Sequence, residues 1–417
     1  MTTQRSKPML VVGAGIAGIT AALEAAEAGR EVLLVEREPA VGGRVLRNHH
    51  YFPKLCPPSC GMELNTRRLE RNTRVRVLTG SRVTKASPEG GGWRVTLTSA
   101  PAYVNDRCSA CGDCSKVCPA RVPDPANLGM NEVPAVRLPF QNAWPRRFTL
   151  DRQACPEGCR ACVEACKVEA IDLAATEREE IVDVGAVVVA TGWRPYPLEK
   201  LPELGGGLFA DVISNVQMER LASPSGPTHG RILRPSDGQP PRRVAFVQCA
   251  GSRDVKHLPY CSSVCCLASL KQVLYVKAQL PDAEVSLYYI DRRAPGRNEE
   301  MLTKVAATGG VKLTKGKVGK VERNGDGGLT LRLEDVSSGR LLSAGADLVV
   351  LATGMVPNAS ADGSPFPIER DEDGFCLDTP ESGLCVAGVA RRPEDVAASV
   401  RDATGAALRA FAAGRRA

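Results

Sequence analysis

A run of four cysteines in the first half of the chain places the strongest constraint on its fold. Cys108, Cys111, Cys114 and Cys118 follow the spacing Cys-x2-Cys-x2-Cys-x3-Cys, with Pro119 directly after them. In this spacing three thiolates hold one [4Fe–4S] cluster, and the fourth thiolate reaches across to a second cluster. The run therefore requires a second set of cysteines close to it in the fold.

A second set follows downstream and consists of Cys155, Cys159, Cys162 and Cys166. Its first spacing is one residue longer, which a loop can absorb, and Lys167 stands where proline is usual. Zinc is the weaker alternative, because zinc sites use separated Cys-x2-Cys pairs or Cys/His mixtures. We expect two ferredoxin-type clusters. In the crossed arrangement one is held by Cys108, Cys111, Cys114 and Cys166, and the other by Cys155, Cys159, Cys162 and Cys118.

The N-terminal segment carries a dinucleotide-binding pattern. Residues 9–12 predict a buried strand, residues 16–28 a helix, and residues 31–36 a second strand. Glycines before the helix allow a tight turn and close approach of the backbone to a pyrophosphate, which binds at the helix N-terminus. Glu36 stands where an acid is expected to bind a ribose hydroxyl. The candidate residues are Gly13, Ala14, Gly15, Ile16, Ala17, Gly18, Glu36 and Arg37.

Further residues favour FAD as the nucleotide. Gly42-Gly43-Arg44 and the tripeptides Ala190–Gly192 and Ala352–Gly354 resemble flavoproteins of the thioredoxin reductase and lipoamide dehydrogenase type. The resemblance implies that each tripeptide ends a strand and marks a crossing between two nucleotide-binding units. It also implies an acid that contacts the flavin ribityl chain, but Val389 replaces that acid, so we expect this contact to be lost. The residues assigned to FAD in this way are Gly42, Gly43, Arg44, Val83, Ala190, Thr191, Gly192, Gly354, Gly388, Val389 and Val396.

An internal repeat indicates how these parts are arranged. Residues 311–354 predict a strand, a hairpin and a strand that ends in Ala-Thr-Gly, and the segment from Val75 begins in the same way. Residues 100–177 of that copy have no counterpart in the other copy, and they contain both cysteine sets. The predicted fold class is α/β, a two-dinucleotide-binding-domain flavoprotein with an inserted α+β di-cluster ferredoxin domain. The predicted limits are 1–99, 178–200 and 341–417 for the FAD-binding domain, 100–177 for the insert and 201–340 for an NAD-like domain.

The NAD-like domain has cysteines where a nucleotide site needs glycines. Its first predicted strand, residues 243–248, is followed by Cys249-Ala-Gly-Ser-Arg-Asp instead of GxGxxG. Cys261, Cys265 and Cys266 come next, the last two at the predicted start of a helix. Four cysteines at one strand–helix junction favour a third cluster over the alternative of buried structural cysteines. We expect no NAD(P)H site there.

Several segments resemble the A-type subunits of heterodisulfide reductases: the di-cluster insert, Gln248–Arg253, Tyr260–Cys266 and Val386–Val396. The last segment accounts for the missing acid at Val389. The resemblance implies a flavin and iron–sulfur electron-transfer subunit with FAD and three [4Fe–4S] clusters. It further implies that an unusual cluster close to FAD is held by Cys249, Cys261, Cys265 and Cys266. No residue is assigned a catalytic role.

Two features point to one branch of this family. Tyr51–Asn65 is similar to the A-type subunit of the quinone-interacting membrane-bound oxidoreductase complex, and we expect the chain to lack the terminal extensions of methanogen subunits. The resemblance implies a cytoplasmic subunit, bound to the membrane through its partners. It would carry electrons between the quinone pool and adenylylsulfate reductase in dissimilatory sulfur metabolism. The implied partners are a second heterodisulfide reductase-like flavoprotein and a membrane haem/quinone subunit.

Two alternatives stay open. One is a heterodisulfide reductase-type, bifurcating flavin subunit with thiol/disulfide partners, and the other is a stand-alone NAD(P)H-dependent oxidoreductase. The net charge of +7 without basic blocks disfavours nucleic-acid binding, and no long apolar run predicts membrane insertion. Cys56 and Cys60 could form a redox pair or have a structural or partner-facing role, and the sequence leaves both alternatives open. Cys376 and Cys385 are predicted core residues.

Overall fold

The computed structural model describes residues 7–325 and 327–414, with only the backbone described for residues 361 and 362. The outer limits of the predicted domains, residues 1 and 417, lie outside the described residues.

The strands are β1 (Met9–Val12), β2 (Val32–Val35), β3 (Val75–Leu78), β4 (Ser81–Glu89), β5 (Gly92–Ser99), β6 (Arg121–Pro123), β7 (Glu132–Pro134), β8 (Val136–Arg137), β9 (Thr149–Leu150), β10 (Arg178–Val184), β11 (Ala186–Val189), β12 (Trp193–Pro195), β13 (Val212–Ser214), β14 (Arg243–Ala250), β15 (Glu284–Tyr289), β16 (Val311–Lys315), β17 (Val318–Arg323), β18 (Leu329–Asp335), β19 (Arg340–Ala346), β20 (Leu348–Thr353), β21 (Met355–Pro357) and β22 (Leu384–Val386). The helices are α1 (Ile16–Glu27), α2 (Ser59–Arg71), α3 (Asp113–Lys116), α4 (Ala161–Glu164), α5 (Asn215–Ala222), α6 (Cys265–Gln279), α7 (Glu299–Ala306), α8 (Asn358–Asp362) and α9 (Val396–Ala413).

The first unit is built on a parallel sheet with the strand order β22-β11-β1-β2-β3. Alternate side chains of a strand point to opposite faces. Met9 and Val11 pack with the small residues of α1 and α9, whereas Leu10 packs with Trp93 and Val95 of the β10-β5-β4 sheet on the other face. The unit is therefore a three-layer structure, as the sequence predicts for a nucleotide-binding domain.

The second unit repeats this arrangement. Its parallel sheet has the order β13-β20-β14-β15-β16, and the antiparallel sheet β17-β18-β19 covers one face. Phe246 and Val350 pack with the helices on one side, whereas Ala245 and Val349 pack with the antiparallel sheet on the other. The predicted internal repeat is confirmed by this match of the two units.

The two chain crossings between the units lie side by side. β12 follows the first Ala-Thr-Gly and β21 follows the second, and Trp193 of β12 pairs with Pro357 of β21 in an antiparallel ribbon. The prediction that each tripeptide ends a strand and marks a crossing is thus confirmed.

The second unit extends further along the chain than the sequence predicts. A boundary after residue 340 would cut β19, which pairs with β18 along its whole length. β20 is the central partner of β13 and β14. The second unit therefore ends at Thr353, because pairing between strands decides this limit and the local residue pattern carries no sign of it.

The cysteine-rich segment leaves and re-enters the first unit at neighbouring positions. Ser99, the last residue of β5, pairs directly with Arg178, the first residue of β10. Between them the chain forms α3, α4 and two short ribbons around its own core, which contains Val122, Val136 and Ile171. The arrangement is that of an inserted module.

The insert also contacts both large units. Trp144 donates its indole N–H to Glu70 at 2.6 Å, and Val41 N–H donates to the Trp144 carbonyl oxygen at 2.8 Å. On the second unit, Arg220 Nε donates to Asn127 Oδ1 at 2.8 Å. In residues 7–325 and 327–414, no helix is both long and apolar enough to cross a bilayer.

Candidate functional site

The glycines of the first β–α turn have three separate structural tasks. Gly13 has φ +101°, and its N–H donates to Val35 O at 2.7 Å, so it forms the tight turn. A Cβ on Gly18 would overlap the carbonyl oxygen of Gly13, so Gly18 permits close helix–turn packing. A Cβ on Gly15 would meet nothing within 4 Å. Gly15 is also the N-cap of α1, which has no side-chain cap, so the first N–H groups of the helix remain available to an anion.

Glu36 is fixed directly beside this turn. Its Oε2 accepts from Ala14 N–H at 2.6 Å and its Oε1 accepts from Glu38 N–H at 2.9 Å. Burial raises the pKa of Glu36 despite these two hydrogen bonds. Gly42 N–H donates to Ala14 O at 2.8 Å, which ties the Gly-Gly-Arg segment to the same turn.

A cavity of about 1620 Å³ opens at the carboxyl end of the first parallel sheet and extends to α5 and α6. This is where nucleotides bind in open α/β sheets. Most of the predicted FAD residues line it, namely Gly13, Gly15, Ile16, Ala17, Glu36, Arg37, Gly43, Arg44, Val83, Ala190, Thr191, Gly192, Val389 and Val396.

The other predicted FAD residues support the wall and are not part of the lining: Ala14, Gly18, Gly42, Gly354 and Gly388. Gly354 faces Ser252 and Leu258 of the second unit, where a Cβ would overlap both side chains. Gly388 has φ +65°, and its N–H donates to Asp402 Oδ2 at 2.9 Å.

The cavity carries polar groups that a nucleotide would satisfy. Thr191 Oγ1 and Gln272 Oε1 are buried and have no hydrogen-bond partner in the described part of the chain. The Arg44 guanidinium lies 4.5 Å from the centre of the Trp193 ring. Burial, and after it nearby Arg47, lowers the pKa of Arg44 to about 9, so the group is still a cation at neutral pH. Unsatisfied polar atoms, a cation and an open helix N-terminus fit the pyrophosphate and hydroxyl groups of FAD.

The far end of the cavity contains a buried ion pair that sequence reasoning missed. Lys271 Nζ lies 3.1 Å from Glu219 Oε1, and each side chain is 4% exposed. Gln272 Nε2 donates to Glu219 Oε1 at 2.6 Å, and the backbone N–H of His49 donates to Glu219 Oε2 at 3.0 Å. The partners belong to α5, α6 and the loop after Gly43, so the only signal in the sequence is a charged residue on the buried side of each helix.

The structure places near one another the cysteines that the crossed arrangement assigns to each cluster, and the ligand sets themselves stay a prediction. Cys114 is buried next to Cys108, Cys111 and Cys166, and burial followed by these thiols raises its pKa to about 11. The same four cysteines line a small cavity in the insert. The pKa of Cys162 is raised by burial and by Cys155, Cys118 and Cys159. Fe–S thiolates gain from N–H donors, and Ala170 N–H donates to Cys166 Sγ at 3.2 Å.

The extra residue of the second set is absorbed in a turn. Gly158 has φ +69° with open space around it, and Cys159 N–H donates to Pro156 O at 3.2 Å. In the described part of the chain, no group of three or more His, Cys, Asp or Glu side chains is arranged to hold a single metal ion, so the cluster assignment rests on the spacing and grouping of the cysteines and stays a prediction.

The third set lies at the β14–α6 junction of the second unit. Cys249 has φ +56° at an irregularity in the pairing of β14 with β20, and Cys265 and Cys266 are the first two residues of α6. All three are buried in one cluster. Hydrogen bonding to Cys265 raises the pKa values of Cys249 and Cys266, and these two thiols lower the pKa of Cys265. Cys261 is half-buried, and Ser263 N–H donates to its Sγ at 3.4 Å.

The remaining cysteines fall into two classes. Cys56 lines the large cavity, and Cys60 is exposed on α2, which begins at Ser59 after the two prolines. Cys376 and Cys385 are fully buried, which confirms that they are core residues.

Comparison with solved structures supports the fold. The chain is similar to Lactococcus lactis thioredoxin reductase, with a TM-score of 0.55, 13% identity, and coverage of 99% of this chain and 100% of that chain. It is also similar to the bacillithiol disulfide reductase Bdr of Bacillus cereus, with a TM-score of 0.55, 14% identity, and 99% coverage of both chains. The predicted fold class, two Rossmann-type units of the thioredoxin reductase kind, is confirmed.

Comparison at the sequence level gives the family. The model of the FAD dependent oxidoreductases matches residues 8–51, which contain the fingerprint and the Gly-Gly-Arg and support FAD as the cofactor. The chain is 36% identical over 416 residues to the A-type subunit of the H(2):CoB-CoM heterodisulfide,ferredoxin reductase of Methanothermobacter marburgensis, covering 96% of this chain and 63% of that one. It is 36% identical over 413 residues to the A-type subunit of the ferredoxin:CoB-CoM heterodisulfide reductase of Methanosarcina mazei, covering 96% and 52%.

This chain thus spans between half and two thirds of the length of these relatives, while almost all of its own length is matched. Over almost its whole length, the chain is therefore a homologue of the A-type subunits of heterodisulfide reductases.

Proposed function

We propose that this chain is the flavin and iron–sulfur electron-transfer subunit of a heterodisulfide reductase-like oxidoreductase complex. The observation that carries this proposal is the position of α6. Its first two residues, Cys265 and Cys266, belong to the third cysteine set, and the flanking Val264 and Ala268 line the FAD cavity. Thiols and cavity wall lie within one helical turn, so a cluster held there would be next to a bound flavin.

The region between the two sites is apolar. Val389 in the cavity wall packs with Met355 and Phe375, and Tyr260 and Val264 from the cysteine-bearing segment pack against them. Side chains packed in this way exclude water from the space between flavin and cluster. Electrons would pass without a competing reaction with solvent.

The insert reaches the same cavity from another side. Ala126 and Leu128 of the insert line the cavity, and neighbouring Asn127 is bonded to Arg220 on α5. Bound FAD would supply the conversion between two-electron and one-electron transfer that clusters alone lack. We propose that the crossed sets hold two [4Fe–4S] clusters of the ferredoxin type and that Cys249, Cys261, Cys265 and Cys266 hold the third.

A nicotinamide nucleotide is not the proposed electron donor. In the second unit the turn that would bind its pyrophosphate contains the buried Cys249 and the side chain of Arg253, which pairs with Asp291 at 2.7 Å. A Cβ on Gly251 would lie 2.9 Å from the Tyr196 ring, so even the glycine of this turn is closed in by side chains. These contacts oppose the alternative of a stand-alone NAD(P)H oxidoreductase.

For the physiological role we propose the quinone-linked branch of the family. The segment Tyr51–Asn65 supports this proposal, and its residues Tyr51, Phe52 and Cys56 line the cavity next to the buried Lys271. The chain would then work in the cytoplasm, attached to the membrane through a second flavoprotein and a haem/quinone subunit. Its redox partner would be adenylylsulfate reductase.

The cofactor content and the electron donor test the first part of the proposal. Protein purified and reconstituted without oxygen should contain one FAD and about three [4Fe–4S] clusters. A content of four irons or fewer per chain would refute the three-cluster assignment. In stopped-flow mixing, NADH and NADPH should leave the flavin absorbance unchanged on the timescale of turnover, whereas rapid bleaching would support the stand-alone enzyme.

The redox partner tests the second part. The chemically reduced protein, assembled with its two partner subunits, is mixed with adenylylsulfate reductase or with the CoB–CoM heterodisulfide, and flavin re-oxidation is followed. Re-oxidation by adenylylsulfate reductase alone supports the quinone-linked branch. Re-oxidation by the heterodisulfide alone would assign the chain to the heterodisulfide-reducing alternative.

A further inference from the structure

Glu394 is a buried carboxyl group in the wall of the FAD cavity that the sequence does not single out. It lies in the loop between β22 and α9 and is 7% exposed. Its Oε2 accepts from Arg392 Nε at 3.3 Å. Its Oε1 is buried and has no hydrogen-bond partner of normal geometry among the described residues, although the Ser399 side chain lies near the carboxyl group. A buried acceptor without a donor is costly unless a ligand supplies one.

The strand order indicates which part of FAD passes this position. Glu36, the acid expected to bind the adenosine ribose, follows β2, and the glycine turn for the pyrophosphate follows β1. On the other side of β1 come β11 and then β22, which Glu394 follows. A dinucleotide that runs across these strand ends from β2 to β22 places its ribityl and flavin half at Glu394.

Glu394 also adjoins the turn in which Val389 replaces an acid. Asp402 Oδ2 accepts from Gly388 N–H at 2.9 Å. The Arg392 guanidinium reaches this carboxylate at 3.8 Å and Glu394 at 3.3 Å. One guanidinium group therefore joins Glu394 to the Gly388–Val389 turn.

We propose that Glu394 Oε1 accepts a hydrogen bond from a ribityl hydroxyl of FAD and replaces the contact that Val389 cannot make. This rests on the proposed binding of FAD in the cavity. Asp402 is already engaged by Gly388 and Arg391, which donates from Nη1 to Asp402 Oδ1 at 2.9 Å. Glu394 thus offers the ligand a buried oxygen that lacks a donor, whereas both oxygens of Asp402 are engaged.

The test measures FAD affinity and needs no turnover. Apo-protein is titrated with FAD by fluorescence or calorimetry, with Glu394→Leu, which removes the acceptor, and Glu394→Gln, which keeps an acceptor oxygen. Loss of a hydrogen bond to a buried group predicts roughly 10-fold weaker binding for E394L. E394Q should weaken binding less than about 3-fold. Glu381→Leu and Glu381→Gln, at an exposed position before β22, are matched controls and should bind as the wild type.

FAD analogues that lack single ribityl hydroxyls identify the contact. One analogue should bind roughly 10-fold more weakly to the wild type and show no further loss with E394L, because the same hydrogen bond is already absent. Circular dichroism of the apo-variants reports whether they fold. Equal FAD affinity of E394L, E394Q and wild type would overturn the proposal. The proposal would also be overturned if, for every analogue, the loss of affinity caused by E394L simply added to the loss caused by the missing hydroxyl. A wild-type protein that binds no FAD would overturn the cofactor assignment as well.

Discussion

Glu219 of α5 and Lys271 of α6 form a buried ion pair, with 3.1 Å between Oε1 and Nζ and 4% exposure of each side chain. Lys271 also donates to His50 O at 2.5 Å, and its Nζ lies 5.9 Å from the centre of the Phe52 ring. The pair therefore ties the loop after the Gly-Gly-Arg to the second unit at the far end of the FAD cavity.

Removing one partner of this pair should be strongly destabilising. In Glu219→Gln the lysine charge stays buried without its counter-charge, and we expect a loss of about 3–5 kcal/mol in the free energy of unfolding. The matched control is Glu63→Gln, which breaks the exposed Arg67–Glu63 pair and should cost less than about 1 kcal/mol. Chemical unfolding of the apo-protein measures both, and equal losses in the two variants would contradict the prediction.

Two glycines three residues apart should respond in opposite ways to alanine. Gly15→Ala places a methyl group in open cavity space and φ is −75° there, so the apo-protein should keep its melting temperature while FAD binding is lost or weakened by at least about 10-fold. In Gly18→Ala the methyl group overlaps the Gly13 carbonyl, so the fold itself should be destabilised by several kcal/mol. Thermal melts with and without FAD separate the two effects. A stable G18A protein, or a G15A protein with normal FAD affinity, would contradict the assignment.

The cysteines at the start of α6 should be needed for one cluster only. Cys265→Ser and Cys266→Ser should each lower the iron content by about four per chain, because a serine oxygen is a poor substitute for soft thiolate sulfur. FAD content and the paramagnetic resonance signals of the insert should persist, since the insert has its own core. Cys376→Ser, at a fully buried position outside the three sets, is the matched control and should keep all iron. Unchanged iron in both α6 variants would show that these cysteines only pack.

His49 should make the protein less stable in mild acid. Burial, and after it nearby His50, lowers the pKa of His49 to about 4. An unfolded histidine binds its proton near pH 6.5. The unfolded chain therefore takes up this proton at a higher pH than the folded protein does. The free energy of unfolding keeps its full value above about pH 6.5 and decreases as the pH falls from there toward 4. Glu219, which favours the charged imidazole, and Lys271 and Arg220, which oppose it, are the other charges that act on the ring.

The measurement is the melting temperature of the apo-protein at pH 7.5 and at pH 5. His49→Gln should flatten the drop between the two values. His229→Gln, at an exposed position, should leave the drop as in the wild type. A drop that is the same in wild type and H49Q would contradict the prediction.

Features with a fixed local spacing could be predicted from the sequence. The fingerprint around Gly13, the two crossings after Ala190 and Ala352 and the insert between residues 99 and 178 all appear at the predicted places. Each depends on neighbouring residues or on a repeat, because turn geometry and ligand spacing are set by short stretches of chain. The predicted FAD residues that line the cavity come from this fingerprint and from the segments that resemble other flavoproteins.

Features that depend on pairing between distant segments could not be predicted. The end of the second unit at Thr353 follows from the pairing of β20 with β13 and β14. The Glu219–Lys271 pair joins two helices that are far apart in the chain, and the free oxygen of Glu394 depends on which neighbours fill the cavity wall. A local pattern contains no information on such contacts, because packing alone decides which polar groups are buried together.

The pairing of Ser99 with Arg178 has a consequence for the history of the chain. The ends of the cysteine-rich segment are one strand spacing apart, ~4.8 Å, so a two-residue turn would close the same gap. A gene encoding the plain flavoprotein can therefore acquire the segment by one in-frame insertion, and lose it by one excision, while β5 and β10 keep their partners. Natural selection can in this way change the number of electron carriers on such a flavoprotein without altering the sheet that holds its nucleotide.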